Sequence, residues 1–323
     1  MALLRYFYIR RKNMIKYGIH TGKQNADPTA MFEAIKRAGF DSVLVSLSGS
    51  FDNDKQIDII HKVGLEIDNC HAPWNGINNL WKDNLKGEEV FQMLAKNFTD
   101  CGSFGIPRAV LHVSSGNDYP PISEIGMDRM AKLIEVADKA NVDICLENQR
   151  FFHFIDYIYA KLDCPRLKFC YDSGHEACFS QTKLALKKYR HKLAALHLHD
   201  NSGVYNADDH LLPGRGVGVD WEYVRKNLEG YEGVISLEVK KIPEMSYDEF
   251  RRYGWKFMLP FKVPKTIEYV DALPRKDSGK LNRAALAARC EELQKDIKNP
   301  FGLYDTGLRA ELRAEAEAAN KDK

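Results

Sequence analysis

Short apolar runs in this chain end, again and again, in side chains that can hold a cation or move a proton. His20 closes the first run and His71 the third, and His112 lies in the fourth. Glu147 closes the fifth, and Asp172 closes the sixth with His175 just beyond. His197 and His199 belong to the seventh, followed by Asp200, and Glu238 closes the eighth. The loop NADDHLLPGRG adds Asp208, Asp209 and His210. Neutral imidazoles and carboxylates suit a borderline divalent ion such as zinc, manganese or cobalt. Burying so many charges without a cation would be costly. A lone His or Glu at a strand end is ordinarily a hydrogen-bonded structural residue; six of eight runs ending this way carry the argument. Glu147, Asp172, His197 and Glu238 are expected as metal ligands. His71, His112, His175, Asp208 and His210 are expected as further ligands or as hydrogen-bonding partners of a substrate. His199 has the parity of His197, so either could be the ligand. Asp200 and Asp209 fit loop-holding roles. His20 either lines the pocket or is structural. Trp74 and Trp81, in HAPWNGINNLW, either stack on substrate or cover the barrel mouth. His61 and His153 lie in helical segments and read as structural or surface residues. The glycines of PGRGVGVDW suit a tight loop before a helix and are weak evidence for phosphate binding.

The elements that must position these residues alternate. Strands are expected at 16–21, 42–47, 65–72, 108–114, 142–148, 167–173, 193–199 and 234–239, each short, apolar and rich in branched residues, as buried parallel strands are. Between them lie amphipathic segments. In DPTAMFEAIKRAGF, Asp27 can cap, Pro28 suits the first helical position and Gly39 the end. DKQIDIIHKVG, EEVFQMLAKNFTDCG, MDRMAKLIEVADKAN and WEYVRKNLEGY follow the same pattern. Strict alternation implies parallel strands with right-handed crossovers. Eight units fit a closed (β/α)8 TIM barrel, an α/β fold, better than an open sheet.

The 323 residues are 44% hydrophobic and 28% charged, an ordinary globular composition. Residues 259–323 hold 13 basic and 11 acidic side chains, so residues 1–258 carry 34 of each and are neutral. Neutrality gives no support to a large nucleic-acid footprint. The seven cysteines form no CxxC pair and are expected as buried, reduced thiols in a cytoplasmic protein. No apolar run approaches the roughly 18 residues that a membrane span needs. The opening MALLRYFYIRRKN places its apolar stretch before its basic cluster, the reverse of a secretory signal, and residues 1–14 are expected to be a dispensable N-terminal extension.

Residues 15–258 resemble the xylose-isomerase-like barrel superfamily, which unites sugar isomerases and epimerases with the AP endonuclease family 2. The matching motifs are CHAPW, LENQ, YDSGHE, HLHDN followed by DDHLLPGRGVGVDW, and SLEV. In the sugar branch the resemblance implies one divalent ion (Mn, Co, Mg or Zn) held by Glu147, Asp172, His197 and Glu238. The two glutamates would move protons between adjacent carbons of a small sugar or sugar phosphate through an enediolate. His175 matches a substrate-contacting histidine, and Arg215 could reach a substrate hydroxyl or phosphate oxygen; a homo-oligomer is compatible with this branch. In the endonuclease branch three zinc ions would be held by His71, His112, Glu147, Asp172, His175, His197, Asp208, His210 and Glu238, for phosphodiester hydrolysis on nucleic acid. Three departures favour the sugar branch: LENQRFFH replaces a glycine-containing run, YDSGH replaces a Cys-containing link, and the neutral barrel with short loops is poorly suited to gripping a duplex.

Residues 259–290, with FKVPKTIEYVDALPRKDSGKLNRAAL at their heart, resemble the end of AMP-forming acyl-CoA synthetases, where Lys280 matches an adenylate-contacting lysine. The rest of that family's machinery is missing from the sequence, so no ligase activity is expected. A fusion scar, a docking tail and half of a split ligase are the competing readings. Residues 291–323 are charged and alanine-rich, suiting a solvated helix or a frayed end.

Overall fold

The computed structural model describes residues 16–22, 28–47, 52–240, 245–251 and 282. The expected N-terminal extension, the Asp27 cap, the ligase-like segment with Lys280 and the charged tail lie outside these residues, Asn282 apart. Within them the eight expected strands form, each trimmed by a residue or more: β1 (Tyr17–His20), β2 (Ser42–Val45), β3 (Glu66–His71), β4 (Arg108–Leu111), β5 (Asp143–Glu147), β6 (Leu167–Asp172), β7 (Leu193–His197) and β8 (Ile235–Leu237). All seven neighbouring pairs are parallel, in the order β7-β6-β5-β4-β3-β2-β1-β8. The ring closes between β7 and β8. Leu198 N donates to Ser236 O at 2.9 Å, and Glu238 N donates to Leu198 O at 3.0 Å.

Helices α1 (Thr29–Arg37), α2 (Asn53–Lys62), α3 (Leu85–Ser103), α4 (Glu124–Lys139) and α5 (His153–Lys161) cover the outside. They are joined by the single turn α6 (Ser173–His175), by α7 (Ala185–Tyr189) and by α8 (Trp221–Asn227). Asp52, Asn84, Ser123 and Asp220 cap α2, α3, α4 and α8 through their side chains, satisfying backbone donors that the first helical turn leaves open. Pro28 departs from expectation. It is the cap residue of α1 rather than its first helical position, and it offers no side-chain acceptor. Gly39 ends that helix region at φ +85°, a conformation that costs glycine nothing. Helix α5 begins at His153, in a stretch expected to be helical, whereas α7 was not expected.

Alternation along the strands separates two apolar regions. One face of each strand, with residues such as Ile19, Val43, Leu111, Leu146, Phe169 and Leu196, joins the large core under the helices. The other face supplies Val110, Cys145, Cys170 and Ala195, which form a small separate cluster. Two positions further along β4, β5, β6 and β7 stand His112, Glu147, Asp172 and His197. The inner cluster therefore floors the mouth in which the polar residues meet. Strand β3 contains an irregularity. Val43 pairs with Ile67 but Leu44 pairs with Asn69, leaving Asp68 as a surplus residue, a β-bulge. The six cysteines among the described residues are free.

Candidate metal centre

The candidate residues arrive at the mouth on separate elements, as a barrel's converging strand ends require. Glu147, at the end of β5, is fully buried and sits centrally. Its Oε1 lies 2.6 Å from His197 Nδ1, and its Oε2 lies 3.7 Å from His71 Nε2 and 4.0 Å from His175 Nδ1. His112 Nε2 abuts the same Oε2, outside hydrogen-bond geometry. Glu238 Oε2 approaches His197 Nδ1 from β8, at 3.0 Å. The two glutamates thus reach one imidazole nitrogen from different strands.

Asp172 is met by different histidines. His199 Nε2 lies 3.1 Å from its Oδ1, and His175 Nδ1 lies 3.9 Å from the same oxygen. His175 Nε2 in turn lies 3.5 Å from Asp208 Oδ2, which is 3.2 Å from His210 Nε2. His199 and His210 stack with centroids 4.1 Å apart. His197 and His199 therefore divide the work that their shared parity left open. His197 faces Glu147 and Glu238, whereas His199 faces Asp172 and Asp208. His175 Nδ1 links the halves, within 4.0 Å of both Glu147 and Asp172. The trios His71–His112–Glu147, His71–His197–Glu238, Asp172–His175–His199 and His199–His210–Glu238 each bring three ligand atoms within 4.8 Å of one another.

Electrostatics describe the same centre. Burial opposes charge on His175, but Asp172, the bond to Asp208 and Glu147 outweigh it and lift this histidine to about 10. Burial is likewise outweighed at His210, which Asp208 and Glu238 raise to about 9, and at His197, raised by Cys170, Glu238 and Glu147. Burial would raise Glu147 and Glu238, but His197 holds both well below the carboxylate norm, helped by His112 at Glu147. His71, under less carboxylate influence, is pushed down by burial and by His112 to about 4. Four carboxylates so placed demand positive charge, and here imidazolium groups supply it. A divalent cation would meet that demand while the histidines turn neutral. Asp208 Oδ1 is buried without a hydrogen-bond partner among the described residues. That orphaned acceptor and the mixed imidazole–carboxylate donor set both fit a divalent metal.

The remaining candidates fall into place around this centre. His20 is held below its usual range by burial and feels Glu238, His197 and His210, so it stands in the mouth. Trp74 is half exposed and stacks on His112 at 5.9 Å. Trp81 instead is buried, packs on Phe154 and donates its indole N–H to Val113 O at 2.7 Å, so it supports the wall. Arg215 is exposed on the PGRG loop. Asp200 holds that loop: its carboxylate accepts from Asn201 N, Gly214 N and Trp221 Nε1, each at 2.9 Å, and from Val219 N at 3.3 Å. Asp209 accepts from Ser202 N and Oγ at 2.9 Å. Three residues the sequence did not single out also matter. Asn148 clamps the end of β6 by bonding both Asp172 N and O at 2.8 Å. Gln149 Nε2 lies 3.4 Å from Glu147 Oε2 and 3.0 Å from His175 Nδ1. Asn69 touches His197. A polar residue one or two places from an expected ligand was the available signal for all three: Asn148 and Gln149 follow Glu147, and Asn69 precedes His71.

The family model for the xylose isomerase-like TIM barrel matches residues 32–253. The chain belongs to the xylose isomerase-like TIM barrel family. Solved structures of similar shape include a D-tagatose 3-epimerase-like protein (TM-score 0.63, 19% identity, covering 76% of this chain and 97% of that one). The 3-keto-D-glucoside 4-epimerase YcjR from E. coli gives a TM-score of 0.59 at 17% identity, over 74% of this chain and 97% of that one. The IOLI protein with a bound zinc atom gives 0.61 at 17%, over 75% and 96%. None of the curated proteins compared with the sequence matches it. Among the described residues, no helix is long and apolar enough to cross a membrane.

Proposed function

We propose that this xylose isomerase-like barrel is a divalent-metal-dependent isomerase or epimerase of a sugar or sugar phosphate. The observation that carries the reading is the convergence of Glu147 and Glu238 on His197 Nδ1, at 2.6 and 3.0 Å, with both carboxylates buried. The epimerase character of the structural neighbours, among them a D-psicose 3-epimerase from Clostridium cellulolyticum H10 solved with D-tagatose, supports it. Glu147, Asp172, Glu238 and His197 would hold the ion, with His199 as the partner Asp172 actually faces. When bound, a divalent ion there polarises a substrate carbonyl and the neighbouring hydroxyl. Glu147 and Glu238 arrive from β5 and β8, three strands apart around the ring, and would flank a small substrate from opposite faces. One carboxylate oxygen takes a proton from the carbon beside the carbonyl; the other glutamate, protonated, returns one to the opposite face or the adjacent carbon. Trp74, His20 and Arg215 would bind and orient the substrate around them. Glu147→Gln and Glu238→Gln are each expected to lower kcat at least roughly 10²-fold and to stop exchange of the substrate's carbon-bound hydrogen with deuterated solvent. Wild-type turnover in both variants would end this reading.

One observation favours a second reading, a trinuclear-zinc phosphodiester hydrolase. His71 and His112 crowd Glu147 on one side, while His175, Asp208 and His210 form a chain on the other, as two further ions would need. Elemental analysis of the purified chain separates the readings: one ion per chain supports the isomerase, and three zincs support the hydrolase.

A further inference from the structure

Below the proposed ligands runs a line of buried polar residues that the proton-transfer chemistry does not use. Asp68, the surplus residue of the β3 bulge, is 4% exposed, and Asn69 is fully buried. Arg108, at the start of β4, grips Asp68 with Nη1, which lies 2.7 Å from its Oδ1 and 3.0 Å from its backbone O. Asp68 Oδ2 accepts from Ser236 Oγ at 3.3 Å and from Asn69 Nδ2 at 2.9 Å. The carboxylate only accepts, so it fixes which end of the Asn69 amide is the donor. The other end, Oδ1, then faces His197 Nε2 at 3.3 Å. An amide oxygen also only accepts, so His197 must carry a proton on Nε2. Its Nδ1 is left for the two glutamates.

The geometry points to Asn69 as a positioning residue: locked by Asp68 and Arg108, it fixes His197 in the Nε2–H tautomer and makes Nδ1 its metal-binding atom. A histidine ligand whose second nitrogen donates to a fixed acceptor is held in one ring orientation. Here the order comes from the barrel floor: Arg108 orients Asp68, Asp68 orients Asn69, and Asn69 orients the ring. Asn69 touches neither the substrate nor the ion. The inference rests on the reading of His197 as a ligand, and it specifies which of its atoms binds.

The test uses the full chain loaded with zinc alone. Long-range proton–nitrogen NMR on ¹⁵N-histidine-labelled wild-type protein is expected to show His197 protonated on Nε2 with Nδ1 bound to zinc. Chelator competition is expected to show Asn69→Leu, which keeps side-chain volume but has no acceptor, losing roughly 10–100-fold in zinc affinity. A zinc-loaded wild type with the proton on Nδ1 would overturn the inference without any variant. So would unchanged zinc affinity in a folded Asn69→Leu protein. Wild-type protein that takes up no divalent metal would instead remove the metal-centre reading itself, and this inference with it.

Discussion

Replacing Asp200 by Asn tests how the loop beyond β7 is held. The carboxylate is fully buried and receives four donors, two on each oxygen: Asn201 N and Val219 N on Oδ1, Gly214 N and Trp221 Nε1 on Oδ2. An amide of the same shape has only one oxygen. Whichever way it turns, its NH₂ confronts two donors that have lost their acceptor. A hydrogen bond to a charged group contributes about 1.5–3 kcal/mol, so two lost bonds cost about 3–6 kcal/mol. Removing a buried charge returns part of that, leaving a net loss of about 3 kcal/mol. For a barrel of this size each kcal/mol shifts Tm by roughly 2–4 °C, so a fall of roughly 6–12 °C is expected by calorimetry or circular dichroism. Trp221→Phe removes one donor and leaves the carboxylate three, so it is expected to shift Tm less than Asp200→Asn. If Asp200→Asn melted within about 2 °C of wild type, or if Trp221→Phe proved the more damaging change, the account of this loop would be wrong.

Gly174→Ala is expected to displace the His199 ring, because a Cβ there would meet ring atom Cε1 at 1.9 Å. Overpacking of this kind costs about 1–3 kcal/mol, readable by urea unfolding, and should weaken metal binding as Asp172 loses its partner. Free divalent metal at 100 times its Kd stabilises a folded state that alone binds it by about 2.7 kcal/mol, so saturation should raise Tm by roughly 5–11 °C and chelation should reverse the rise. Trp74→Ala, at a half-exposed ring on the rim, is expected to raise KM for the sugar substrate while leaving kcat and Tm near wild type; an unchanged KM would remove Trp74 from substrate binding.

The barrel was legible because its strands are buried on both faces, which forces short runs of branched apolar residues, and because helices with one wet face announce their period. Helix α7 hid because its five residues are too few for a helical period to show. The candidate site was legible residue by residue, since carboxylates and imidazoles at strand ends have few structural uses in such number. The pairing within it was not. His197 and His199 share a face, and only the stagger between β6 and β7, where Ala194 is passed over in the register between Phe169–Leu193 and Cys170–Ala195, decides which imidazole meets Asp172. The support beneath the site was hidden for a related reason. Simple alternation puts Ile67, Asn69 and His71 on one face, yet Ile67 lies in the outer core while Asn69 meets His197 inside.

That last discrepancy bears on how this chain should be lined up with its relatives. Because Asp68 has no opposite number on β2, the outward residues before it and the inward residues after it are offset by one letter. A homologue with a regular third strand would place its equivalent of His71 one position earlier, against Cys70 in an ungapped comparison. Counting of ligands across the family therefore needs a single-letter gap in this strand, or a histidine that is present will be scored as missing.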